Sequence, residues 1–271
     1  MKIIDIHTHA YPPAIAKRTM KSLSGVVGPD NLPFGNGTLE DLVARQKKRG
    51  IDLSVVLNMA VKPHSVPRIN NFALEINAKE GLLAFGAMHP DMSKAQMREE
   101  LARLKTAGIK GIKLHPCYQA FQIDDKKAYL LYEQIIDFDM AVLFHAGLDP
   151  MDMQHNYASP EASLQVHKDL PELKMILAHM GGAYQPAEAE RILWGQAVYL
   201  DVALCGNDIN GDQIKRLFDN HPNDKILYGS DYPWHDAEEL WMLTYPGLTQ
   251  RQKEMAFYEN AATLLGLQEA K

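Results

Sequence analysis

A (β/α)8 TIM barrel filling residues 1–271 as a single domain is the fold class the sequence predicts, and three observations predict it. Short apolar runs alternate with helical periodicity about eight times along 271 residues, close to the roughly 250 residues typical of one such barrel. The runs are nearly continuous, as in Val55-Val56-Leu57, which suits a parallel sheet covered by helices. Several of them close on a polar residue: His7 and His9, His115, His145, His179 and Asp231 stand at the C-terminal ends of runs spread along the chain. A doubly wound open sheet would show the same alternation, but only a closed ring of strands brings all those ends to one centre.

The first strand carries Asp5-Ile6-His7-Thr8-His9. Period-two alternation puts Asp5, His7 and His9 on one face and Ile4, Ile6 and Thr8 on the other. Tyr11 to Gly37, rich in Pro and Gly, reads as a long loop of the kind that covers or binds a substrate. Thr38 and Asp41 then open a helix that Gly50 ends, and Leu53 to Leu57 is a buried strand. Leu82 to Met88 closes on His89-Pro90, where a hydrogen-bonded structural histidine is expected, and Ser93 caps a helix running to Gly108. Ile109 to Leu114 closes on His115-Pro116 and is followed by a helix from Asp125 to Asp139. Ala141 to Phe144 closes on His145-Ala146-Gly147, and Ser159-Pro160 opens the next helix. Lys174 to Ala178 closes on His179-Met180-Gly181-Gly182, before a helix from Pro186 to Trp194. Val198 to Leu204, a helix from Asp212 to Phe218, Ile226 to Gly229 closing on Ser230-Asp231-Tyr232-Pro233, and a long helix from Thr249 to Leu265 complete the pattern.

Composition narrows the partners. The chain is 46 % hydrophobic and 23 % charged with a formal net charge of −6, and its Lys and Arg form no basic block, which argues against nucleic acid. Only two apolar residues, Ile3 and Ile4, stand between Lys2 and Asp5, too few for a signal-peptide core, and no apolar run approaches the roughly 18 residues of a membrane span. A cytoplasmic enzyme with a small-molecule substrate is expected, with homo-oligomerisation left open. Cys117 and Cys205 lie far apart in no metal or redox motif, so reduced thiols are expected. Cys117, with no base evident beside it, reads as a bystander.

On the barrel, His7 and His9 come from strand one, His145 from strand five and Asp231 from strand eight. These four can surround one divalent ion, a nitrogen and oxygen donor set of the catalytic type. Zinc is the expected metal, with manganese second. His179, at the end of strand six, lies close enough to reach the substrate.

Asp-Ile-His-Thr-His, Phe-His-Ala-Gly at 144 to 147, Ala-His-Met-Gly-Gly at 178 to 182, Tyr-Gly-Ser-Asp-Tyr-Pro at 228 to 233 and Glu-Asn-Ala-Ala-Thr-Leu-Leu-Gly-Leu near the C-terminus resemble the amidohydrolase superfamily. The likeness is to its amidohydrolase-related branch, which includes aminocarboxymuconate-semialdehyde decarboxylase. It implies that His7, His9, His145 and Asp231 are metal ligands and that His179 is catalytic. Lys113, where many two-metal members carry a carboxylated lysine or a glutamate, is such a bridge, an ion-pair partner or a substrate contact. His115 lines the pocket in each case.

Three functions follow. The first is hydrolysis of a lactone, amide or related bond by a metal-activated water, with Asp231 taking the proton and His179 stabilising the oxyanion. The second is non-oxidative decarboxylation of an unsaturated or aromatic acid. The third, a catalytically silent metal-binding barrel, is disfavoured by the complete ligand set. Decarboxylation calls for a cation on the substrate carboxylate, ideally a guanidinium. Arg18 and Arg68 are the arginines expected near the mouth, with Arg68 a substrate contact, whereas Arg45 and the others read as helix-surface residues. Lys62, Lys113, the metal or a partner subunit could substitute.

Overall fold

The computed structural model describes residues 1–28, 32–203 and 210–267; Cys205 and Leu204 lie outside them. Eight strands, β1 (Ile4–Thr8), β2 (Leu53–Leu57), β3 (Leu82–Ala87), β4 (Gly111–Leu114), β5 (Ala141–Phe144), β6 (Lys174–Leu177), β7 (Tyr199–Asp201) and β8 (Ile226–Leu227), form one sheet in sequence order. Helices alternate with them, and the fold is a (β/α)8 barrel. The chain divides into two compact units, Met1–Val56 with Trp194–Lys271, and Leu57–Leu193.

In the first unit β1 pairs in parallel with the start of β2, and Ile6 N–H donates to Tyr228 O at 3.0 Å beside β8. Ile4, Ile6, Leu42, Leu200, Ile226 and Phe257 are buried in its core. The helix Leu39–Arg49 starts as expected, with the Thr38 hydroxyl accepting from Asp41 N–H at 3.2 Å, and ends at Gly50 in the left-handed conformation. The expected loop from Tyr11 to Gly37 instead contains a helix, Pro13–Val27. Pro13 presets the first turn, and the following residues, among them buried Ala16 and Met20, are good helix formers. The final helix is continuous from Gln250 to Leu265 except for a π turn over Met255–Glu259. That turn coincides with the Ala256 carbonyl accepting from Tyr228 N–H at 2.9 Å, which ties the helix to the end of β8.

The register of β1 against β2 shifts between Asp5 and Thr8. This bulge breaks the simple alternation, so Asp5 does not join His7 and His9 as their common phase predicts. Its carboxylate instead accepts from Arg45 Nη1 at 2.9 Å, Ser230 Oγ at 2.7 Å and Ser230 N–H at 3.0 Å. Arg45 is therefore not a surface residue: it is 4 % exposed, its apolar stem lying in the helix face turned inward.

In the second unit β3 to β6 pair in parallel, with Ile112 opposite Val142 and Val142 opposite Met175 at the centre of the ladder. The Ser93 capping box is present at the helix Lys94–Thr106, and the Ser159 hydroxyl caps Pro160–Asp169. Two further helices occur in stretches given no element from sequence, Val66–Asn77 and the single turn Pro116–Gln119. His89 behaves as a structural residue, its Nδ1 accepting from Asp91 N–H at 3.1 Å.

His221, in the first unit, gives the fold a pH dependence. Its Nε2 faces the Val198 carbonyl at 3.0 Å and its Nδ1 accepts from Gly195 N–H at 3.3 Å, so both ring nitrogens are committed with one proton between them. Burial lowers its pKa to about 4. The unfolded chain takes up this proton near 6.5 and the folded chain refuses it until about pH 4. The stabilisation is thus complete above about 6.5 and is lost as pH falls, by up to about 3 kcal/mol. Urea midpoints measured at pH 7 and pH 5 should show this loss in the wild type and less of it in His221→Gln. An equal loss in both would exclude His221 as its source.

Candidate functional site

The first unit brings together three of the residues singled out in the sequence. His7 and His9 leave the end of β1 with their rings 5.2 Å apart and nearly perpendicular. Their Nε2 atoms lie 3.2 Å and 2.9 Å from the same oxygen, Asp231 Oδ1. Asp231 is placed by an unusual backbone: its φ is +61°, and its N–H donates to His7 O at 2.8 Å. Such conformations in a non-glycine residue cost of order 1–3 kcal/mol and cluster at functional sites. Gly229 lets this turn close on β1, because a Cβ there would come within 2.9 Å of His7 Cβ. Two imidazole nitrogens, of buried His7 and half-buried His9, and an oxygen of buried Asp231, all aimed at one point, fit a borderline divalent cation.

Sequence reading passed over Asp201, the last residue of β7, which is fully buried with its Oδ2 2.9 Å from His7 Nδ1. The signal was available, since Asp201 is one more polar residue at a strand end, but it sits inside what reads as an apolar run. Tyr11 was also missed; burial raises its phenol well above the usual value and the nearby Asp231 charge adds to the effect.

The second unit gathers His115, His145 and His179. His115 and His145 stack with centroids 4.3 Å apart, His145 and His179 meet at 5.0 Å, and Tyr118 covers the other face of His115 at 4.1 Å. Asp149 joins them unforeseen, since a residue in an irregular loop leaves no periodic trace. Its Oδ2 is 3.5 Å from His115 Nε2 and 3.8 Å from His145 Nε2. One donor atom from each of His115, His145 and Asp149 falls within 4.8 Å of the others, a grouping able to hold a metal ion. The hydrogen bonds assign the ring protons. His145 Nε2 faces the Leu148 carbonyl at 3.0 Å, and a carbonyl only accepts, so Nε2 carries the proton and the Nδ1 lone pair is the one suited to a metal. His115 Nδ1 accepts from Tyr118 N–H at 3.4 Å, which leaves its Nε2–H directed at Asp149.

The charges agree with that pattern. Burial, helped by the charge on His145, lowers His115 to about 3, so it is neutral near pH 7. Burial alone would raise Asp149, but the hydrogen bond from His115 and the histidine charges bring it down to about 2. Lys113, on β4, is 1 % exposed and close enough for its charge to act on His115. His179 and Met180 both have left-handed backbones, φ +58° and +54°, immediately before the Gly181-Gly182 pair. Gly147 makes room for the backbone that follows them: a Cβ at this position would meet Ala183 N at 2.3 Å. Arg68 is exposed on the first turn of the helix Val66–Asn77. Burial pushes the Cys117 thiol up to about 12, which fits a bystander and not a nucleophile. No helix among the described residues is long and apolar enough to cross a membrane.

A family model described as Amidohydrolase matches residues 4–267. No curated protein matches the sequence. Among solved structures, a dihydroxybenzoic acid decarboxylase from Polaromonas sp. JS666, with bound manganese and the inhibitor 2-nitroresorcinol, is 16 % identical over 99 % of this chain and 98 % of its own, with a TM-score of 0.75. The 5-carboxyvanillate decarboxylase of Sphingomonas paucimobilis is 14 % identical over 98 % and 99 % of the two chains, TM-score 0.73. The 4-oxalomesaconate hydratase of Rhodopseudomonas palustris is 18 % identical over 97 % and 95 %, TM-score 0.67. At these identities the likeness is one of fold.

Proposed function

The chain belongs to the amidohydrolase family, in its amidohydrolase-related branch, and on that premise we propose that it is a metal-dependent carboxy-lyase releasing carbon dioxide from a small aromatic or unsaturated carboxylic acid. The observation that carries this reading is Lys113. Decarboxylation needs a cation to orient the substrate carboxylate, and a buried ammonium on β4, beside a neutral His115, supplies one where the arginines do not. Arg18 is exposed, Arg45 is engaged by Asp5, and Arg68 is exposed at a helix start, where it would meet an acid only on entry. The decarboxylases of like fold support the same substrate class.

The proposed ligands, within one domain spanning 1–271, are those read from the sequence: His7, His9, His145 and Asp231, for one ion of zinc or manganese. Such an ion supplies a Lewis acid that draws electron density from the bound acid. Lys113 holds and orients the substrate carboxylate, and His115, its Nε2–H turned to Asp149, lines the pocket beside it. The bond from carbon to carboxylate breaks, its electron pair stays on carbon, and Asp231, having first taken up a proton from solvent, delivers it there. His179 steadies the negative charge during the transfer. One proton is consumed for each carbon dioxide released.

Hydrolysis remains the second reading, favoured by Asp231 itself: a carboxylate held between two imidazole nitrogens is equally suited to take a proton from water. Assays of zinc- and manganese-loaded protein against hydroxybenzoates, enoic acids, lactones and amides separate the two. Carbon dioxide release, reduced about 10²-fold in Lys113→Met, is expected. Lactone or amide opening without carbon dioxide release would replace this reading with the hydrolase.

A further inference from the structure

Asp201 is buried at the end of β7 with each carboxylate oxygen committed to a different donor. Oδ2 lies 2.9 Å from His7 Nδ1, and Oδ1 accepts from Ala203 N–H at 3.1 Å. We propose that Asp201 is a positioning residue that fixes the tautomer of His7, holding the proton on Nδ1 so that the Nε2 lone pair faces the point where His9 Nε2 and Asp231 Oδ1 converge. This rests on the metal-dependent reading above and extends it to a residue outside the ligand set.

The argument is one of donors and acceptors. An ionised carboxylate only accepts, and a neutral ring has one proton to give; with Nδ1 2.9 Å from Asp201 and Nε2 3.2 Å from Asp231, the shorter contact takes it. The same contact fixes the ring's rotation, because both nitrogens of one imidazole are then engaged, Nδ1 by Asp201 and Nε2 beside Asp231 at 3.2 Å. A ligating histidine usually has its outer nitrogen held in this way, and loss of the partner typically costs 10- to 100-fold in metal affinity.

The Ala203 contact makes the consequence specific. In Asp201→Asn the side chain is nearly unchanged in shape but has one oxygen and one NH2 group. A backbone N–H cannot become an acceptor, whereas an imidazole can exchange its tautomer. The amide oxygen should therefore stay on Ala203, and the NH2 group should turn to His7 Nδ1. His7 Nδ1 then accepts, its proton moves to Nε2, and the lone pair is withdrawn from the metal. Asp201→Ala removes the carboxylate without imposing that flip. The isosteric change should thus be more harmful to metal binding than truncation, the reverse of the order that packing alone would give.

Two measurements test this. Zinc affinity, from competition with a chromophoric chelator, should fall about 10- to 100-fold in Asp201→Ala and further in Asp201→Asn. Nitrogen-15 spectra of the metal-free protein, at a pH where the ring is neutral, should show His7 protonated on Nδ1 in the wild type and on Nε2 in Asp201→Asn. Affinity within twofold of wild type in Asp201→Asn, or a wild-type His7 protonated on Nε2, overturns the inference. If Asp201→Asn does not fold, the wild-type spectrum still decides. A wild type that binds neither zinc nor manganese removes the proposed function, and the ring spectra then judge Asp201 independently.

Discussion

The double variant His7→Ala, His9→Ala is expected to contain no stoichiometric zinc or manganese and to have lost its turnover, while its far-ultraviolet circular dichroism remains that of a folded barrel. Both imidazoles stand at the end of β1, outside the packed layers formed by residues such as Ile4, Ile6 and Ile226, so removing them empties the site without opening the core. The cost to stability will not be zero. Asp201 and Asp231 are buried and lose a facing nitrogen each, or two in the case of Asp231. A buried acceptor deprived of a partner costs about 1–3 kcal/mol. His179→Asn provides the contrast: metal content is expected to stay, and turnover to fall about 10²-fold or more, the scale of a positioned acid or base. Elemental analysis of the purified variants checks both. Full metal occupancy in the double variant would remove His7 and His9 from the ligand set, and loss of metal from His179→Asn would add His179 to it.

Much of this arrangement was legible because strand ends are marked in the sequence. The apolar runs at β2 and β5 have the observed bounds, Leu53–Leu57 and Ala141–Phe144, and Thr38, Ser93 and Ser159 cap where their hydroxyls suggest. What escaped depends on contacts between residues far apart in the chain. The bulge in β1 is invisible to a period-two count, yet it turns Asp5 away from the histidines and toward Arg45, 40 residues on. Arg45 itself lies on a helix rich in charge, where nothing local distinguishes a buried guanidinium from the exposed ones beside it. Pro12, Pro13 and Gly28 dominate the composition around Pro13–Val27 and hide a helix whose residues favour it. Strand β8 spans only Ile226–Leu227, but the Gly-Ser-Asp turn after it, and not its length, marks the place where Asp231 meets His7 and His9.

Arg45→Met is the substitution from which we expect the largest loss of stability, about 3–5 kcal/mol, the usual result of leaving one member of a buried ion pair alone. Arg45 Nη1 lies 2.9 Å from Asp5 Oδ2, its Nε is 3.5 Å from Asp236 Oδ1, and its guanidinium stands 4.6 Å from the centre of the Tyr232 ring. Methionine replaces the stem but none of these contacts. Asp5, fully buried, would keep its bonds from Ser230 and from His7 N–H at 3.3 Å but lose the only cation beside it among the described residues. Because the guanidinium also packs on Tyr232, the residue that follows Asp231, its loss loosens that turn, and zinc affinity should weaken along with stability. The double variant Asp5→Asn, Arg45→Met separates charge from packing. With the stranded carboxylate neutralised, it should be more stable than Arg45→Met alone, giving a coupling energy of about 0.5–3 kcal/mol in a double-mutant cycle. Urea unfolding of the four proteins supplies the cycle. If Arg45→Met costs less than about 1 kcal/mol, or if the two changes simply add, the pair behaves as a surface salt bridge and the role given to Arg45 in holding the turn is wrong.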